Sequence, residues 1–222
     1  MILWSLLTII TFISIRKILI TLKLNTINPI IVTLLFLIAS VVVTGTPYEE
    51  YERATHWITY MLGPIVVMLA IPLYKNETAL KRHFKAVMVG VATSFIVSVL
   101  SVIVLSFLLK LDNAIMTSML PKSITTPMAL EVTKMTGGLP GLTVIFVIIT
   151  GIVGASLAPW TMSLFKVQDP IAKGIGIGAS SHGIGTSKAV EMDDEVGAAS
   201  GLSMGICGVT TVVVFSLLMK FI

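Results

Sequence analysis

The chain has 222 residues, 55% of them hydrophobic and 12% charged, with a net charge of +4 and a mean hydropathy of +1.00. A soluble domain of this size carries about twice that charge. The basic residues stand singly or in small clusters between apolar runs, which excludes a nucleic-acid surface. Several runs approach the ~20 residues that cross a ~30 Å hydrocarbon core, so a polytopic membrane protein is expected, with no separate soluble domain.

Ile2–Ile15 is apolar and closed by Arg16-Lys17. It is short for a span unless the basic pair snorkels. The stretch Met1–Thr11 has neither a charged n-region nor a small-residue cleavage site, so it reads as a retained first helix. Asn28–Gly45 reads as a second span, and Thr46–Arg53, "TPYEEYER", as an acidic loop. Trp57–Tyr74 is apolar but holds Pro64 and Pro72, which remove two backbone donors and predict an interrupted helix. A basic loop, Tyr74–Lys85, precedes the longest uninterrupted span, Ala86–Leu109. The segment "MLPKSITTPMALEVTKMTGGLPG" is too polar to be a simple span. Leu142–Phe165 is apolar, "KVQDPIAK" a turn, Gly174–Glu195 Gly-rich and then charged, and Val196–Leu218 the last span. The single cysteine, Cys207, lies inside this run, so no disulfide framework is expected.

Loop charges predict orientation, because Lys and Arg favour the cytoplasmic side. Arg16, Lys17 and Lys23 put the first loop inside, Glu49, Glu50 and Glu52 the second outside, and Lys75, Lys81, Arg82 and Lys85 the third inside. Lys166 and Lys173 are inside again, which leaves one span between Leu111 and Lys166. Met119–Gly141 is therefore expected to enter and return on the outer side as a re-entrant hairpin.

Sliding the chain against itself by sixty residues, without a gap, aligns Ile124, Thr126, Ala129, Glu131, Gly137, Gly141, Leu142 and Thr150 with Ile184, Thr186, Ala189, Glu191, Gly197, Gly201, Leu202 and Thr210. The repeated unit is a polar half-helix, a Gly-marked turn and one span. With the orientation above, the copies are inverted, the pattern of secondary transporters whose interrupted helices meet at the membrane midplane. Thr126 and Thr186 are expected to cap the half-helices, with Pro127 at the tolerated first position. Two such N-termini would offer partial positive charge and free N–H groups to an anion. Ser123, Thr125 and Ser181 add hydroxyls, Lys122 or His182 a full charge. Glu131 and Glu191 are intramembrane carboxylates by this reading, hence candidates for coupling, although Lys134 and Lys188 stand ready to pair with them.

The string "GIGIGASSHG" follows no strand and cannot be a dinucleotide loop. Ser181-His182 lacks the hydrolase elbow, and no His or Cys spacing suggests a metal. No enzyme activity and no cofactor are expected. The Gly137/Gly141 and Gly197/Gly201/Gly205 spacings read as small-residue faces for close helix packing.

At "LPKSITTPMALE", "DPIAKGIGIGASSHGIGTSKAVE" and "LGPIVVMLAIPLYK" the chain resembles the LrgB/CidB family of antiholin-like membrane proteins, related to the plastidial glycolate/glycerate transporter, over nearly its whole length. The resemblance implies either movement of small carboxylates such as pyruvate or glycolate, or control of murein hydrolase activity and lysis. Carried over, it places function on Lys122, Ser123, Thr125, Thr126 and Pro127, and on Ser181, His182, Gly183, Gly185 and Thr186. It also implies a bacterial inner membrane and a small LrgA/CidA-type holin-like partner. The expectation is thus an all-α, multi-pass membrane protein with broken helices, re-entrant hairpins and inverted repeats. Residues 1–222 form one transmembrane domain, with a first half at 1–110 and two hairpin-plus-span units at 111–222. It is expected to be a homo-oligomer that carries small monocarboxylates, with Lys188 alongside Glu131 and Glu191 as coupling candidates and an antiholin-like regulator as the alternative.

Overall fold

The computed structural model describes residues 2–22, 24, 29–61, 64, 74 and 77–220. Within these residues the fold is all-α, and four helices are long and apolar enough to cross a membrane. The chain forms two compact units, residues 1–65 and 66–222.

The first unit holds α1 (Ile2–Thr21), α2 (Pro29–Thr44) and α3 (Tyr48–Tyr60). The run ended at Ile15 by the sequence reading continues through Arg16-Lys17, which gives α1 spanning length. The expected acidic loop is instead the start of α3. Glu49 and Glu50 occupy its first turn, where the helix dipole favours carboxylates. Trp57 donates its indole N–H to Ser5 Oγ at 2.7 Å, Ser5 donates to the Ala54 carbonyl, and Trp4 meets Tyr51 edge-on. These bonds fix α1 on α3. The interrupted element expected at Pro64 and Pro72 lies outside the described residues, apart from Pro64 and Tyr74.

The second unit holds α4 (Glu77–Leu108), α5 (Asn113–Met119), α6 (Thr126–Thr136), α7 (Pro140–Leu164), α8 (Pro170–Met192) and α9 (Asp194–Leu218). Most of the expected basic loop is the start of α4, with a kink at His83. α5 and α6 are about 10 and 16 Å long, too short to cross the core. The C-terminal end of α5 meets the chain that follows α6. Ser118, at the end of α5, accepts from the backbone N–H of Leu139 at 2.7 Å, and its carbonyl accepts from Thr143 Oγ1 at 3.1 Å. Thr133 and Thr143 share a hydroxyl bond of 2.7 Å. The chain that leaves at Ser118 is back at Leu139, so the segment between them turns round instead of crossing.

α8 turns round as well. His182 has φ 41° and ψ −139°, a conformation strained for an L-residue. Ile177 and Gly185 would be about 12 Å apart in a straight helix, yet a Cβ on Gly185 would lie 3.1 Å from the Ile177 side chain. Before the turn, Gly174 faces Val196 and Ala199, Gly178 faces Ser200 and Ser203, and Ala179 faces Cys207. That arm therefore runs with α9. After it, Gly183 faces Met204, Thr186 bonds Ser200, and Val190 faces Gly197, so the second arm runs against α9. The first arm also runs against α7, with Gly176 at Met162, Ser181 at Gly154 and His182 at Gly151. It follows that α7 and α9, the long helices of the two repeats, point in opposite directions.

The outer faces of α4, α7 and α9 expose Val104, Phe107, Ile149, Trp160, Val213 and Leu217, an apolar coat suited to lipid. The chain is a multi-pass membrane protein.

Candidate functional site at the hairpin tips

Each hairpin tip reaches the long helix of the other repeat. In the first, Ser123 and Ile124 line a small cavity with Cys207 and Thr211 of α9 and with Ser94 and Ser98 of α4. In the second, His182 Nε2 is 2.9 Å from the Val147 carbonyl oxygen of α7. Val147 corresponds to Cys207 under the sixty-residue shift, so each tip, at Ser123–Ile124 and at His182, lies against the equivalent position of the other long helix. The hairpin bases correspond too: Thr143 closes the first, and its counterpart Ser203 donates to the Gly174 and Ile175 carbonyls of the second.

A turn in α8 deprives the carbonyls before it of helical partners. The Ala179 carbonyl is served by Ser94 Oγ at 2.8 Å, with Cys207 Sγ at 3.5 Å. Ser94 and Cys207 thus touch the second hairpin while lining the cavity at the tip of the first, which draws both tips around α4 and α9. Ser98 lies ten residues before Leu108, about 15 Å from that end of the span. Both tips lie beside the middle of α4.

Lys122 is half-buried and donates from Nζ to Ser98 Oγ at 2.9 Å. Among the described residues no carboxylate lies within 4 Å of it. Ser98 Oγ is also 2.9 Å from Ser123 Oγ. Among the described residues Thr125 Oγ1 is buried without a hydrogen-bond partner. The cavity itself measures about 10 Å³, room for roughly one water.

Two expected caps need correction. Thr125, not Thr126, is the N-cap of α6, and its side chain makes no capping bond; Thr126 and Pro127 follow as the first helical residues. Thr186 caps nothing: it lies inside the second arm of α8, bonded to Ser200 Oγ at 2.9 Å, because the turn falls four residues earlier at His182. Ser181 is buried against Gly154 and Gly185 in turn packs on Ser181, while half-buried Gly183 begins the second arm. Glu131 and Glu191 stand away from the tips. They pair with Lys134 at 2.7 Å and Lys188 at 3.0 Å, and both carboxylates are more than 60% exposed. Sequence reading missed Ser94, Ser98 and Thr211. Hydroxyls four residues apart on an otherwise apolar span were the available sign.

The model of the LrgB-like family matches residues 8–221. The chain belongs to that family. This LrgB-like chain is 34% identical over 194 residues to the uncharacterized protein YwbG of Bacillus subtilis (strain 168), covering 87% of this chain and 86% of that one. It is 33% identical over 204 residues to YxaC of the same organism (92% and 89% covered). To the antiholin-like protein LrgB of Bacillus cereus (strain B4264) it is 32% identical over 195 residues (88% and 85%). No solved structure matches it.

Proposed function

We propose that the chain carries small monocarboxylates, of the size of pyruvate and glycolate, across a bacterial inner membrane. The observation that supports this reading is Lys122. An ammonium at mid-depth is costly to bury, and here a serine hydroxyl takes the place of a counter-ion. A small carboxylate would complete the pair, with Ser123, Thr125 and the N-terminus of α6 supplying further donors. His182, Ser181, Gly183, Gly185 and Thr186 shape the opposing hairpin, and the two hairpins act as inverted repeats that expose the site to either side in turn. A one-water cavity is too small for an organic acid, so the site has to widen to admit one.

The name of the Bacillus cereus relatives favours a second reading, an antiholin-like regulator working with a small LrgA/CidA-type membrane partner. Purified protein in liposomes separates the two. Saturable uptake of labelled pyruvate or glycolate is expected of the carrier, and its absence with correctly inserted protein, both with and without such a partner, leaves the regulator.

A further inference from the structure

We propose that the first hairpin is the outer gate of the site, opening outward in the empty protein while the second hairpin stays shut. The inference rests on the carboxylate-carrier reading for what passes the gate, and it names the element that widens the one-water cavity. The two tips lie against equivalent helices but on different beds. Under the second tip, α7 carries Gly151 and Gly154. A Cβ on Gly151 would lie 2.6 Å from the His182 ring, and one on Gly154 would overlap Ser181, so this tip sinks onto the helix backbone. The sixty-residue shift puts Thr211 and Val214 at those positions of α9. The Thr211 side chain keeps the first tip off the backbone, and the cavity it lines with Ser123 and Ile124 is the space that remains.

The ties of the first tip are of a kind that opening breaks at low cost. Ser98 holds Lys122 and Ser123 by bonds of 2.9 Å, which entering water can replace. Along α6, the atoms nearest a Cβ on Gly208 of α9 all belong to the Met128 side chain, a flexible filler that can follow a moving partner. The base is fixed. The Leu139 N–H donates to Ser118 Oγ at 2.7 Å, and a Cβ on Gly138 would lie 2.9 Å from the Ser118 nitrogen. A swing about this base lifts the tip from α4 and α9. The second hairpin has no such freedom: Gly174 and Gly178 rest on the α9 backbone at Val196 and Ser200, and Ile175 fills the space at Gly90 of α4. Moving it would part close-packed contacts with α4, α7 and α9 together.

The single cysteine, Cys207, is buried and lines the cavity under the first tip, so its labelling by a small impermeant methanethiosulfonate anion reports the opening. The test compares right-side-out with inside-out membrane vesicles, without substrate. Labelling is expected to be at least about ten-fold faster from the outer face than from the cytoplasmic face, because its rate follows the population of each open form. Gly154→Ala should raise the second tip off its bed and speed labelling from the cytoplasmic face at least about ten-fold. If that variant fails to insert, Gly151→Ala serves, since its methyl group meets His182. Equal labelling from the two faces overturns the proposal, as does faster labelling from the cytoplasmic face or none from either. So does a cytoplasmic rate that neither glycine variant raises. Outer labelling that excess pyruvate or glycolate fails to slow would instead count against the carrier reading and leave the gate standing.

Discussion

Thr125 stands where a threonine normally caps a helix, yet among the described residues its hydroxyl is buried and unpartnered. Leaving a buried hydroxyl short costs about 1–3 kcal/mol, a penalty tolerated where a ligand supplies the missing partner. Thr125→Val keeps the shape and removes the orphan. It is expected to raise the unfolding stability of the detergent-purified protein by about 1 kcal/mol while lowering carboxylate uptake. A variant that is no more stable, or that transports fully, would show that the hydroxyl is satisfied or idle. Lys122, Ser123 and Thr125 were legible in the sequence because a polar string between two apolar runs has no packing reason to exist. Ser94 and Ser98 were not. Single serines in an apolar helix usually bond their own backbone, as Ser101 does here, and only the tertiary fold turns Ser94 and Ser98 toward the tips.

At the scale of elements, the sixty-residue repeat carried the pairing of a short polar segment with a long helix, and Pro127 marked the first turn. The second turn has no proline or aspartate to mark it. His182 is held at positive φ by its surroundings, with Nε2 on Val147 and the ring against Gly151, so the sequence reading placed the half-helix start four residues late, at Thr186. Of the two expected small-residue faces, Gly197 does pack closely, a Cβ there lying 2.9 Å from Val190 Cα, but the Gly137/Gly141 face was misplaced. Gly137 is a left-handed C-cap with φ 73°, and a Cβ on Gly141 would meet nothing within 4 Å. A further close approach is at Gly174 and Gly178, where a Cβ on Gly178 would overlap the Ser200 carbonyl. Gly178→Ala is therefore expected to destabilise the protein by about 1–3 kcal/mol through overpacking, against no loss for Gly141→Ala; comparable thermal unfolding of the two would contradict this packing. The hairpins make a topological prediction as well. With Cys207 replaced, single cysteines at Asp112 and Gly138 should react with an impermeant reagent from the outer side, and cysteines at Asp169 and Asp193 from the cytoplasmic side. Asp112 and Gly138 labelling from opposite faces would mean that the first hairpin crosses.

For the whole molecule, the reciprocal contacts carry the most weight. Each tip meets the span of the other repeat at equivalent positions, Cys207 for the first and Val147 for the second, and the two spans run in opposite directions. Symmetry of placement comes with asymmetry of chemistry. The first tip holds a cation on a serine, the second an imidazole on a backbone carbonyl. Under the proposed carrier function, binding falls to the first tip and closure to the second, which gives one anion site, not two. The measurement that bears on this most directly is uptake of labelled pyruvate or glycolate by reconstituted Lys122→Met. Removing one member of a buried charge pair costs about 2–5 kcal/mol, so half-saturation should rise at least about thirty-fold, with Lys122→Arg recovering part of the loss. Uptake by inserted Lys122→Met at the level of the unaltered protein would contradict a site built on that lysine.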